Sequence, residues 1–164
     1  MSGRAFKYGD NINTDVMYPG RYLEIKDMTE MGKHALEDLD KDFVKKVKPG
    51  DVIVAGKNLG CGSSREQAAK CLVAVGVKAV IAKSMARIFY RNAINLGMAV
   101  VVSPEVVDGI DDGDEVEVDL AGGVVKNLTK KTELKFEPLP PFIMEIIRDG
   151  GLIPHLKKKL GAKK

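Results

Sequence analysis

Ser63, Ser64 and Arg65 follow the glycine turn Gly60-Cys61-Gly62 and precede Glu66, so two hydroxyls and a guanidinium sit on one short loop. Upstream, Asp51–Ala55 reads as a short buried strand. Downstream, Gln67–Val75 reads as a helix closed by Gly76. The loop is therefore a strand-to-helix crossing. The first N–H groups of a helix have no internal partner and its dipole favours negative charge there, so such a crossing suits a carboxylate or a phosphate. Gly60 and Gly62 can take positive φ and let a ligand approach the main chain, while Arg65 offers a planar fork for a carboxylate. A purely structural reading competes: Ser63 and Glu66 have the spacing of a capping box. That reading leaves Ser64, Arg65 and both glycines without a role. A phosphate-binding P-loop fits less well, because its Gly-Lys-Ser/Thr ending is absent.

The flanking elements follow from periodicity. A short strand is predicted at Ala5–Tyr8, then a long polar loop from Asp10 to Lys26 and a weakly helical stretch from Met28 to Val47. Asp51–Ala55 and Lys78–Ala82 are small or β-branched apolar runs separated by a helix over Arg65–Val75, which predicts parallel strands with a right-handed crossover. A second helix, Met85–Leu96, ends at Gly97 and leads into a strand at Met98–Val102. Beyond Pro104, the segments Asp114–Leu120, Gly123–Lys126 and Thr132–Phe136 alternate apolar and polar residues, as an antiparallel meander does. A last helix is expected at Phe142–Arg148, closed by Asp149-Gly150-Gly151. The class is α/β: a strand-helix-strand layer carrying an antiparallel meander.

Asn58–Ala68 resembles the signature of the small swivelling domain of the aconitase superfamily. Asp10–Asp15 resembles that family's Asp-x-Ile-x-Thr-Asp segment, Tyr18–Leu23 the approach to its substrate-selecting loop, and Ile81–Gly97 the segment after its serine motif. The resemblance covers most of the chain in the family's order, and implies a swivelling β/β/α domain. Length and motif order are most similar to the family's stand-alone small subunits, which pair with a separate large subunit to isomerise isopropylmalate on the route to leucine.

That resemblance implies dehydration and rehydration of a malate derivative through an alkene. It assigns Ser63 as the catalytic base, Asp15 as an active-site aspartate, and Ser64, Arg65 and Gly62 as substrate-binding neighbours. An Asx-turn is the competing reading of Asp15, and local hydrogen bonding that of Thr14. Relatives acting on tricarboxylic acids carry an arginine after the leucine of the Leu23-Glu24-Ile25 segment. Here Glu24 would repel a third carboxylate, so Leu23 and Ile25 are expected to meet an apolar substituent. Citramalate, dimethylmalate and, through Arg21, homoaconitate are the alternative substrates. A non-catalytic anion-binding or regulatory module is the alternative of another class. Arg87 and Arg91, four residues apart, share a helix face that borders either solvent, substrate or a partner. His34 and His155 have no neighbouring ligand set.

Composition agrees with one soluble domain over residues 1–164, with 45% hydrophobic and 30% charged residues. No apolar run is long enough to span a bilayer and no secretory leader is evident, so a cytoplasmic location is expected. The net charge of +3 does not call for nucleic acid, and no aromatic residues interleave with the lysines of the basic tail, 156–164. The family uses a [4Fe–4S] cluster held by three cysteines. With only Cys61 and Cys71, the resemblance implies that a large subunit carries it, and no metal or cofactor ligand is expected here.

Overall fold

Runs of alanine, valine and isoleucine, too short and too β-branched to form helices of their own, build the sheet that carries everything else. The structure, a computed structural model, describes residues 2–161. In chain order its elements are β1 (Ser2–Lys7), α1 (Thr14–Met17), α2 (Met28–Gly32), α3 (Phe43–Lys46), β2 (Val52–Ala55), α4 (Glu66–Ala74), β3 (Ala79–Ala82), α5 (Arg87–Asn95), β4 (Ala99–Val102), α6 (Pro104–Asp108), β5 (Glu115–Asp119), β6 (Val124–Asn127), β7 (Thr132–Lys135), α7 (Pro141–Arg148) and α8 (Leu152–Gly161).

The strands form one seven-stranded sheet in the order β4-β3-β2-β1-β5-β6-β7. β1 is the change-over strand. It runs parallel to β2, with Phe6 opposite Ile53, and antiparallel to β5, with Gly3 opposite Val116. β2, β3 and β4 are parallel and nearly continuously apolar because helices or loops cover both faces. β5 alternates Glu115, Val116, Glu117 and Val118, and buries only the valines.

Alternation along the strands divides the interior in two. Phe6, Ile53, Val80 and Val100 face α2, α4 and α5, where Leu72, Phe89 and Ile94 meet them. Ala5, Val52, Val54, Ile81 and Val101 face the other way, onto Val106, Ile110, Val116 and Val125. Two polar ties lock the change-over region. Asp51 accepts from the Arg4 N–H at 2.9 Å and the Lys48 N–H at 2.7 Å, and Asp114 accepts from the Asn127 amide at 2.6 Å.

The parallel unit and the meander stand where the sequence places them, with ends shifted by one or two residues, and β1, expected at Ala5–Tyr8, starts three residues earlier at Ser2. Elsewhere the structure corrects the expectation. The stretch from Met28 to Val47 is not one helix: it breaks after α2 into turns, with Leu36 at φ 56°, and resumes only for α3. The loop from Asp10 to Lys26 contains α1 and a 3-10 turn at Gly20–Tyr22. α6 and α8 were not expected at all. Residues 156–161 of the basic tail belong to α8, and 162–164 lie outside the described residues.

Candidate active site

Three loops leave the carboxyl ends of β1, β2 and β3, and because those strands are parallel neighbours the loops lie side by side. The first two are zipped together by the main chain. The Asn11 N–H donates to the Lys57 carbonyl at 2.7 Å, Gly60 N–H to Ile12 at 2.7 Å and Thr14 N–H to Cys61 at 2.9 Å. The Lys57 N–H also meets the Asp10 carboxylate at 2.7 Å, and the Asn58 amide meets Asn11 at 2.9 Å. The third loop joins from the other side, with Leu59 N–H donating to Ser84 and Ala86 N–H to Leu59. Crevices outside the carboxyl ends of parallel strands, near a reversal of strand order, are where open α/β sheets bind ligands.

The glycines are matched to that close approach. Gly60 has φ 76°, and a β-carbon there would overlap the ring of Phe89, so side-chain bulk and backbone conformation exclude other residues together. Gly62, at φ 98°, brings the loop over Asn13 and Thr14.

Ser63, Asp15 and Arg65 come together from positions up to 50 residues apart. The Ser63 hydroxyl donates to Asp15 Oδ1 at 3.3 Å, and Arg65 Nη1 pairs with the same oxygen at 2.9 Å. Arg65 also donates to the Tyr18 carbonyl at 3.2 Å, and its guanidinium lies beside Gly20. Thr14 is more than a local turn residue: its hydroxyl donates to the Ser63 carbonyl at 2.8 Å and lies 3.4 Å from the Ser63 hydroxyl. Ser63 and Ser64 are exposed, and Ser64 has no hydrogen-bond partner among the described residues.

This geometry overturns the capping box. α4 starts at Glu66 with Arg65 in the cap position, and no side chain caps it. Ser63 lies two residues too early, with its carbonyl accepting from Arg65 N–H at 2.8 Å and its hydroxyl turned to Asp15. The Ala68 N–H turns to the Arg65 carbonyl at 3.2 Å, and the Glu66 and Gln67 N–H groups at the start of α4 are left uncapped beside the serine loop.

The serine faces a cavity of about 290 Å³ bordered by Gly62, Arg65, Arg87, Phe89 and Asn92. The sequence reading left Arg87 undecided and missed Asn92. Their signal was positional, since α5 opens from the strand next to β2 and must begin beside the serine loop. Leu23, Glu24 and Ile25 do not border this cavity. Leu23 and Glu24 are exposed in the turn after Tyr22, while Ile25 packs onto the core. Arg21 turns away, held by Glu37 at 3.1 Å and Asp38 at 2.7 Å with its guanidinium over the Tyr22 ring. It offers the site no positive charge. His34 stacks on Tyr22 and bonds Glu37 at 2.7 Å, and His155 bonds Asp149 at 2.7 Å.

The cysteines do not fit a cluster. Cys71 is fully buried among apolar residues, its thiol pushed up to about 12 by that burial and donating to the Ala68 carbonyl. Only Cys61 remains on the loop, and no three His, Cys, Asp or Glu residues among those described are grouped to hold a metal. Nor is any described helix long and apolar enough to cross a membrane.

A swivelling α/β domain with a serine, aspartate and arginine gathered at the ends of its parallel strands defines a class, and comparison with known proteins gives the same one. Residues 7–105 match the Aconitase C-terminal domain family. The chain is 60% identical over 158 residues to the 3-isopropylmalate dehydratase small subunit of Caldicellulosiruptor saccharolyticus, covering 96% of this chain and 91% of that one. It is 54% identical over 157 residues to 3-isopropylmalate dehydratase small subunit 1 of Thermotoga maritima, covering 95% and 94%. A crystal structure of 3-isopropylmalate dehydratase from Methanocaldococcus jannaschii superposes with a TM-score of 0.93 at 48% identity, covering 99% of this chain and 96% of that one. The chain belongs to the aconitase C-terminal domain family and, within it, to the 3-isopropylmalate dehydratase small subunits.

Proposed function

We propose that this chain is one half of a hydro-lyase that interconverts 3-isopropylmalate and 2-isopropylmalate through their shared alkene, in complex with a large subunit that carries the [4Fe–4S] cluster. The observation that carries the reading is the Ser63–Asp15–Arg65 cluster at an open cavity, in a chain whose relatives bear that enzyme's name.

Dehydration removes a proton from one carbon and hydroxide from its neighbour. Ser63 is the base. Its deprotonated Oγ takes the carbon-bound proton as the C–H electron pair becomes the double bond; the resulting hydroxyl exchanges its hydrogen with water and supplies a proton again during rehydration. A serine hydroxyl ionises poorly, and two features lower the cost: the guanidinium of Arg65 and the uncapped N–H groups of α4 both favour an anion at this spot. Asp15 accepts the hydroxyl hydrogen in the resting state and so aims Oγ. Its negative charge opposes the alkoxide, and Arg65, 2.9 Å away, offsets it.

Arg65 and Ser64 bind one substrate carboxylate over the Gly62 turn, and Arg87 presents a second cation on the cavity wall. Glu24 discriminates against a third carboxylate, and Leu23 borders the substrate's apolar substituent once the large subunit closes the site. Ile25, half-buried, anchors that turn by packing against the core. Departure of hydroxide falls to the partner, since no group of three His, Cys, Asp or Glu among the described residues is placed to hold the cluster.

The test is anaerobic turnover of the reconstituted two-subunit complex, followed by alkene absorbance with isopropylmalate, citramalate and homocitrate. Turnover of isopropylmalate above the others supports the assignment. Preference for homocitrate contradicts the role given to Glu24. No turnover of any of the three by a formed, cluster-loaded complex leaves an anion-binding module as the better description.

A further inference from the structure

The wall of the serine cavity continues into a second depression. α5 and α7 flank a groove of about 410 Å³ in which Tyr90, Ile94, Phe142 and Ile146 supply apolar surface and Arg87 and Arg91 supply charge. Phe142 is 64% exposed, while the other phenylalanines are buried or half-buried. Ile88, one residue after Arg87 on α5, is 49% exposed. The guanidinium of neither Arg87 nor Arg91 has an ion-pair or hydrogen-bond partner among the described residues. Exposed apolar surface rimmed by unpaired charge marks an interaction site more often than a bare solvent face.

Two observations select the occupant. Arg87 borders both the serine cavity and the groove, so a body that closes the cavity mouth also abuts the groove. No acidic residue borders the groove. A second copy of this chain docking groove to groove about a two-fold axis would offer those arginines no carboxylate, because such an interface meets itself. The groove therefore calls for a different chain, one with an apolar projection flanked by carboxylates.

We infer that the α5–α7 groove is the docking surface for the cluster-bearing large subunit, which seats an apolar side chain against Phe142 and Ile146 and presents carboxylates to Arg87 and Arg91. The inference rests on the proposed small-subunit role. It places a hot spot about Phe142, with Arg91 as its electrostatic rim.

The experiment measures the affinity of the wild-type chain, Phe142→Glu, Arg91→Glu, Arg91→Lys and the double glutamate variant for the cognate large subunit under anaerobic conditions. Thermal unfolding confirms that each variant is folded, and sedimentation of the chain alone reports self-association. Each glutamate variant is expected to bind at least tenfold more weakly and the double variant more weakly still, with Arg91→Lys close to wild type. Saturating large subunit is expected to restore near-normal kcat, since neither residue borders the serine cavity. A loss below tenfold for both single variants overturns the inference, as does a wild-type homodimer that Phe142→Glu dissociates. Wild type failing to bind the large subunit overturns the docking surface and the functional reading together. A complex that forms through Phe142 and Arg91 yet turns over no isopropylmalate overturns only the functional reading.

Discussion

At the scale of single residues, the serine loop is held by steric fit on one side and by charge on the other. Gly60 fills a place that the Phe89 ring denies to any β-carbon, at a φ unfavourable for other residues. Gly60→Ala is therefore expected to cost about 2–3 kcal/mol, summing overpacking and backbone strain, and urea unfolding would read it as a lower midpoint at unchanged slope. Arg65 is the charge. Its Nη1 serves Asp15 and the Tyr18 carbonyl at once and leaves the rest of the fork for a ligand, a division of donors between separate nitrogens that the single ammonium of lysine cannot reproduce. Arg65→Lys should raise KM by about tenfold or more while the large subunit still binds, measured by steady-state kinetics of the complex. Serine and glycine types at fixed spacing were visible in the sequence, but the choice between base and helix cap was not. It depends on where α4 begins, and the pull of Asp15 and Thr14 on Ser63, 48 and 49 residues away, lies outside any local window.

At the scale of elements, what was legible follows from burial. β2, β3 and β4 are continuous apolar runs between glycine-closed helices, and nothing else fits that pattern. α6 was hidden because Pro104 reads as a breaker, although proline is well suited to the first helical turn where it sits. α8 was hidden because its lysine run and Pro154 outweighed the spacing of Leu152, Leu156 and Leu160. The stretch from Met28 to Val47 failed in the opposite sense, since helix-forming residues were counted without the turn that Leu36 makes. The joint between β5 and β6 offers a pH test. Asp114 is held below the usual carboxylate range, chiefly by the Asp111 N–H and then by the Asn127 amide and Lys130, against the opposing effect of its burial. A carboxylate depressed by folding contributes stability that is fully present above its unfolded pKa, near 3.9, and is lost as pH falls through the lower folded value. Thermal unfolding between pH 5 and 3 should show the wild-type midpoint falling more steeply than that of Asp114→Asn, and equal slopes would argue against this role.

At the scale of the whole molecule, the three motif loops converge on one open cavity, which on the proposed function a large subunit completes. The order of those motifs along the sequence was enough to place the family, because they are the loops at the ends of adjacent parallel strands. Their spatial partners were not legible: Arg87 and Asn92 enter the cavity only because β3 lies beside β2. The isolated chain is expected to show no turnover, and Glu24→Arg in the complex should raise kcat/KM for a tricarboxylic substrate by about tenfold relative to isopropylmalate. An unchanged ratio would mean that Glu24 faces away from the substrate in the closed complex.

The central claim is that the proton moves to Ser63, and proton exchange tests it most directly. Isopropylmalate deuterated at the carbon that loses its proton would be incubated with the complex in ordinary water, and loss of label followed by mass spectrometry. The wild-type complex is expected to wash the label out. The Ser63→Ala complex, still assembled and still binding substrate, should do so at least a thousandfold more slowly. Washout by Ser63→Ala at a rate close to wild type would contradict the account and place the base elsewhere.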